Sequence, residues 1–330
     1  MNFTTRFISK FFLLIAFAVV SASSVFAQVV PDSSPVSDQK PGSVLIFNYY
    51  GSKITNPKAE DTEINITNTN TQKMGTAAIF FIDSVSGHVA DASVCLAANQ
   101  TISFLTSDMD PGAKGYILVV SVDAATGQPN YFNYFTGSES IKTEYGYLGS
   151  LNAETIAAMV ASPAGAPSGT TATLMFDGVH YNKVPASLIL DHIPSVDGWN
   201  QTLVIVNQIG GSLVGNNRPD DLTALYGVMY DMSTKAYYWQ VGNLNSFQSR
   251  KVIADDFPKT TPGVSTVLAD GAIGWMKFWP VAANKGITGA VLYLNKSTSP
   301  AVSRFTGGRN LHHLTMTTDQ VIIPVYPKNC

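Results

Sequence analysis

Gly112–Phe135 and Gly271–Leu294 align without a gap, and seven pairs are identical: Gly112/Gly271, Ala113/Ala272, Gly115/Gly274, Val122/Val281, Ala124/Ala283, Gly127/Gly286 and Tyr134/Tyr293. Aromatic Tyr116 meets Trp275. Three weaker matches precede this block in the same order. Pro41–Ile46 resembles Pro185–Leu190, Ile64–Asn68 resembles Leu203–Asn207, and the apolar run ending at Asp83 resembles Leu225–Tyr230 ending at Asp231. Ordered blocks of this kind mean one unit used twice, so the two halves are expected to share an architecture. The second copy is longer, with insertions near Asn216–Leu222 and Pro258–Asp270.

The unit is built of strands. In Asp61–Thr71, Ile64 and Ile66 alternate with Glu63, Asn65 and Thr67, the period of a half-buried strand. Thr76–Ile82 and Gly115–Asp123 are continuously apolar, which predicts central strands, and Tyr131–Phe135 is aromatic and strand-like. One helix is expected: Asn152 can cap it, Glu154 suits its positive end, Ile156, Met159 and Val160 share a face, and Pro163 stops it. The predicted fold is all-β, two tandem Ig-like or fibronectin-like β-sandwich domains over 41–147 and 170–330. A helix and linker over 148–169 would join them. A single larger jelly roll or barrel is the competing arrangement.

Residues 1–27 read as a signal peptide. Arg6 and Lys10 charge the start, Phe11–Val20 is apolar, and Val25-Phe26-Ala27 fits a cleavage site before Gln28. The apolar run is too short to span a bilayer, and no later stretch reads as transmembrane. Gln rather than Cys after the cut argues against a lipid anchor. Residues 28–40 are Pro/Ser-rich and expected to be a flexible lead-in. The chain is thus expected to be exported, by a bacterium, to the periplasm, the cell surface or the medium. Losing Arg6 and Lys10 takes 20 Lys+Arg to 18 against 23 Asp+Glu, a net charge of −5. That balance argues against nucleic acid and anionic membrane surfaces as partners.

The residues that carry the repeat also carry a resemblance. Gly42–Tyr50 (GSVLIFNYY), Asp61–Thr71 (DTEINITNTNT), Leu96–Gly112, Thr202–Gly211, Phe257–Gly263 and the closing Gly307–Cys330 resemble a family of exported bacterial β-rich proteins of unassigned function. The resemblance covers nearly all of Gly42–Cys330 and implies no activity.

Motifs for chemistry are sparse. His88, His180, His192, His312 and His313 form no ligand pattern, and His312 and His313 would point to opposite faces of a strand. Asp108 and Asp110 place two carboxylates on one face of an extended segment, an arrangement that can hold Ca²⁺, although turn formation by Asp, Pro and Gly accounts for it equally. Asp255 and Asp256 are their counterparts. No other cofactor is implied. No G-x-S-x-G elbow or phosphate loop is present. Tyr237-Tyr238-Trp239 is an aromatic triplet, and alternation puts Tyr237 and Trp239 on one face and Tyr238 on the other. Core packing and a sugar-stacking platform are both consistent with it.

The expected function is a non-catalytic interaction or structural module that meets a protein or glycan of the cell envelope or matrix. A carbohydrate-binding protein or carbohydrate-active hydrolase is the alternative. An exposed aromatic row without carboxylates would favour sugar binding, and an acidic cleft would favour the enzyme. In an oxidising compartment the two cysteines, Cys95 and Cys330, are expected to pair. Non-reducing peptide mapping of the exported protein should recover one Cys95–Cys330 peptide; two alkylatable thiols would refute the pairing.

Overall fold

The apolar and alternating runs form strands throughout the computed structural model, which describes residues 36–164, 169–215, 217–253, 256–299 and 305–328. The first copy supplies β1 (Val44–Gly51), β2 (Asp61–Asn68), β3 (Gly75–Asp83), β4 (Val89–Leu96), β5 (Thr101–Leu105), helix α1 (Thr106–Met109), β6 (Lys114–Val122), β7 (Phe135–Lys142), β8 (Leu148–Asn152) and β9 (Glu154–Ile156). Then come β10 (Thr171–Phe176), β11 (Val184–Ile193), β12 (Asn200–Gln208), β13 (Gly211–Ser212), β14 (Thr223–Asp231), β15 (Ala236–Leu244) and β16 (Phe247–Lys251). Helix α2 (Val264–Val267) precedes β17 (Gly274–Pro280), β18 (Ile287–Asn295), β19 (Gly307–Asn310), β20 (His312–Thr317) and β21 (Asp319–Pro324).

These strands make five sheets. Sheet I has the order β4-β3-β6-β1-β9 and sheet II the order β5-β2-β7-β8. Sheet III runs β15-β14-β17-β11-β20, sheet IV β16-β12-β18-β19, and sheet V β10-β21-β13. Strand order repeats: β4-β3-β6-β1 corresponds to β15-β14-β17-β11, and β5-β2-β7-β8 to β16-β12-β18-β19.

The expected pair of tandem Ig-like or fibronectin-like β-sandwich domains is overturned. Five sheets form, and Pro31–Cys330 is a single compact unit rather than two domains on a linker. The fifth sheet pairs β10, which follows the expected linker, with β21 at the far end of the chain, from Thr171 opposite Pro324 to Phe176 opposite Asp319. One core cluster runs through both copies. It gathers Ile46, Phe80, Ile82, Tyr116 and Leu118 of sheet I with Leu174, Phe176, Val321 and Ile323 of sheet V and Leu203, Ile205 and Leu292 of sheet IV.

The expected helix over 152–160 is absent. Glu154, Thr155, Ile156, Ala157 and Ala158 are all buried, so the segment has no wet face for an amphipathic helix to present. It forms β9, with Ile156 opposite Val44 and Glu154 opposite Ile46. Val36 is buried, and Ser37 exchanges backbone hydrogen bonds with Thr155. The expected signal peptide lies outside the described residues, as do most of the lead-in and Gly165–Ser168 of the linker.

Register refines the repeat. Val119 sits opposite Leu45, and its counterpart Phe278 opposite Leu188, so Leu188 answers Leu45 and not Val44. Beyond Val122 the ungapped match fails: Phe135 opens β7, whereas Leu294 lies near the end of β18. Cys95, in β4, is disulfide-bonded; Cys330 lies outside the described residues.

The inner strands β1, β3 and β6 of sheet I are buried on both faces, because the second apolar face meets sheets IV and V. Sheet III alternates instead, with β17 buried at every second residue. Tyr116 is fully buried, and its hydroxyl donates to the Gln208 carbonyl at 2.7 Å; its counterpart Trp275 is half-buried. Tyr116→Ala should therefore cost about 3–5 kcal/mol in urea unfolding. Trp275→Ala should cost about 1 kcal/mol. Equal losses would contradict the difference between the two faces.

Candidate functional site

The open face of sheet III gathers five aromatic side chains, the exposed Tyr238 and the half-buried Tyr226, Tyr230, Trp275 and Trp279. Cross-strand pairing sets three rows on it. Ala236, Tyr230 and Trp275 form the first row; Tyr238, Val228, Lys277, Ile189 and His312 the second; Gln240, Tyr226 and Trp279 the third. The rings are paired. Tyr230 stacks on Trp275 with centroids 4.5 Å apart and planes 13° apart, and Tyr226 meets Trp279 at 5.3 Å and 58°. Trp275, Lys277 and Trp279 alternate along β17, so each is spaced about 6.7 Å from the next on one side of the strand.

None of the residues in these rows carries a carboxylate. Asp191 of β11 is the nearest acid along that strand, and it pairs with Arg309 at 2.6 Å and His312 at 3.4 Å. Lys277 is half-buried, and its ammonium makes no hydrogen bond or ion pair among the described residues. Beside it lies a hollow of about 360 Å³ lined by Ser187, Lys277, Trp279, Lys285, Leu314 and Thr315 among others.

The aromatic triplet divides as alternation predicts. Tyr237 and Trp239 are buried, Tyr238 is 64% exposed. Trp239 packs on Phe257 at 4.9 Å and Phe278 at 6.0 Å. It sits across from Gly227, where a Cβ would lie 2.2 Å from its ring, so that glycine keeps room for the indole. Tyr238 alone joins the open face. Sequence reasoning missed Tyr226, Tyr230, Trp275, Lys277 and Trp279. The signal for Trp275, Lys277 and Trp279 was present in the alternation of GWMKFWP over β17, whereas Tyr226 and Tyr230 lie on β14.

Asp108 and Asp110 do not converge. Asp108 is exposed in α1, whereas Asp110 follows the end of that helix in a non-helical conformation. Asp110 accepts from the Tyr50 hydroxyl at 2.7 Å. Of their counterparts, Asp256 pairs with Arg250 at 3.0 Å, and Asp255 lies outside the described residues. Among the described residues, no group of three or more His, Cys, Asp or Glu is placed to hold a metal ion.

Carboxylates gather in two other places. A cleft of about 1060 Å³ is lined by Asp177, Asp220 and Asp319. All three are engaged: Asp177 with His180 at 2.8 Å, Asp220 with Lys285, and Asp319 with the Gly286 amide at 2.6 Å and the Gln208 amide at 2.9 Å. The second place is a buried polar junction between the copies. Asn48 donates to Glu154 at 2.8 Å and to the Asn310 side chain at 3.0 Å; Asn207 donates to the Asn48 side chain at 3.0 Å. His313 meets Glu154 at 2.9 Å.

Burial works to lower the pKa of His313, but the hydrogen bond and charge of Glu154, with Asp38 beyond, outweigh it and raise the value above the usual 6.5. Glu139, fully buried beside this junction, is pushed well above the ordinary carboxylate range by burial, against the opposing Tyr49 and Asn48 amides, with Glu154 adding to the rise.

No family model matches the chain, and no curated protein matches it. Among solved structures it is similar to CfaE, the adhesive subunit of the CFA/I fimbria of enterotoxigenic Escherichia coli. The identity is 11%, covering 86% of this chain and 88% of that one, with a TM-score of 0.16. A mutant of the same adhesin gives 9% identity, 89% and 91% coverage and a TM-score of 0.12. At these TM-scores the likeness carries no argument.

Both raised groups stabilise the fold in their protonated forms. That contribution is complete below their unfolded values and is lost as pH rises through the folded ones. Unfolding midpoints should therefore fall as pH rises above the ordinary Glu and His values. Glu139→Gln, which keeps the shape without the charge, should flatten the fall and raise stability at the alkaline end by about 1–3 kcal/mol. A slope unchanged by this variant would refute the assignment.

Proposed function

We propose that the chain is a non-catalytic binding protein, exported to the cell envelope or beyond, that holds a glycan on the open face of sheet III. The observation that carries this reading is the difference between equivalent faces. Tyr116, Leu118 and Val120 of β6 lie in the shared core, while Trp275, Lys277 and Trp279 at the same positions of β17 stand toward solvent. A face that a stable fold could have covered is instead lined with Tyr and Trp. Large rings offer much apolar area for little rotamer entropy, and rings already held by a neighbour lose still less on binding. The C–H face of a sugar suits such a surface, and its hydroxyls suit Gln240 and the polar rim.

A hydrolytic reading gains less support, because the carboxylates of the acidic cleft are already engaged with His180, Lys285 and backbone or side-chain amides. Export rests on the leader-like first 27 residues.

Trp279→Ala and Tyr238→Ala should each weaken glycan binding by about 1–3 kcal/mol while leaving the unfolding midpoint near that of the parent protein. Isothermal titration beside thermal unfolding checks both. Turnover of a glycan abolished by changing one carboxylate would overturn the non-catalytic reading.

A further inference from the structure

We infer that the hollow beside Lys277 and Trp279 receives the carboxylate of an acidic sugar, so that the glycan held on sheet III is a carboxylated oligosaccharide. This deepens the glycan reading and rests on it.

Three observations converge. The first is the unpaired cation. Lys277 lies in the middle row, flanked by Val228 and Ile189 across the sheet and by Trp275 and Trp279 along the strand. Its ammonium makes no hydrogen bond or ion pair among the described residues. Lysines on half-covered apolar surface usually lie flat on it and send the head to water. Here the neighbouring positions on the same side of the strand are two indoles, Trp275 and Trp279, and the half-buried lysine borders the hollow. An anion arriving there gains a charge-assisted contact that a neutral hydroxyl cannot match.

The second is the sign of the hollow. It is lined by Lys277 and Lys285, and no carboxylate lines it. Lys285 is held by Asp220, whose carboxylate lines the acidic cleft rather than this hollow, so Lys277 supplies the free charge. The chain as a whole is acidic, which makes a carboxylate-free basic spot a local exception.

The third is a donor set for oxygen. Ser187 and Thr315 line the same hollow, and their hydroxyls share one hydrogen bond of 2.6 Å. One hydroxyl donates to the other, which leaves the acceptor's own proton available to a ligand oxygen. An ammonium, a hydroxyl pair and the Trp279 ring lining one hollow match a sugar that carries an anionic substituent on an apolar ring face. In the first copy the position of Lys277 is Leu118, buried in the core, so the charge belongs to the open face alone.

The test offers the full mature chain an immobilised panel in three forms: hexuronic and sialic acid oligosaccharides, their methyl esters, and neutral oligosaccharides. Acid forms should bind, and esterification should weaken them about 10- to 100-fold. Lys277→Met, which keeps the apolar stem, should reproduce that loss for the acids and leave the esters unchanged. Lys277→Arg should retain acid binding, and added salt should weaken only the acid forms. Esters or neutral sugars bound as tightly as acids, with Trp279→Ala abolishing them, would overturn the acid assignment while sparing the glycan reading. No binding in any form would overturn both. So would self-association of the chain that Trp279→Ala abolishes, since a second copy would then be the occupant. The ester comparison requires no variant, so it stands even if a substitution fails to fold.

Discussion

A sheet with two apolar faces needs two coverings, and sheet I finds them in different stretches of the chain. One face, with Ile79, Phe81, Ile117 and Val119, is covered by Ile64 and Ile66 of sheet II. The other has no partner within its own copy. It is closed by Leu174 and Phe176 of β10 and by Val321 and Ile323 of β21, with sheet IV beside them. This closure ties the start of the second copy to the end of the chain, and it makes one compact unit of a duplicated sequence. It also makes the two copies unequal, since sheet V covers sheet I and nothing among the described residues covers the same face of sheet III.

That inequality accounts for the chemistry of the two faces. Leu118 and Val120 belong where water is excluded; Lys277 and Trp279 would be costly there, the lysine most of all. The polar junction follows from the same closure. Bringing the copies together buries Asn48, Glu154 and Asn207 with Glu139, and each polar atom left unpaired costs free energy. Most are paired across the copies, with Glu139 Oε1 and Asn207 Oδ1 as exceptions. A protonated Glu139 and a charged His313 fit this setting better than their deprotonated forms.

The strands and the repeat were legible because period two and ordered identities are local signals. Ile64 and Ile66 alternate in the sequence and in the structure, and the match of Gly115 with Gly274 marks equivalent strands. The joining helix was misread because Ile156, Met159 and Val160 fit a helical face, while the burial of Thr155 and Ala157 is a long-range fact. The number of sheets was not legible, since the pairing of β10 with β21 joins residues at opposite ends of the second copy. The triplet Tyr237-Tyr238-Trp239 drew attention by composition, yet two of its members are core. The row that matters is spread over β14, β15 and β17, and it becomes one surface only through cross-strand register.

Hydroxyl-radical footprinting read by mass spectrometry tests the inequality of the two faces most directly. In the free protein, Tyr238, Trp275 and Trp279 should be modified readily, while Tyr116 and Tyr181, buried in the shared core, should be protected until the chain unfolds. Protection of Trp275 and Trp279 equal to that of Tyr116 in the free monomer would contradict the account, because the face proposed to bind would then be closed.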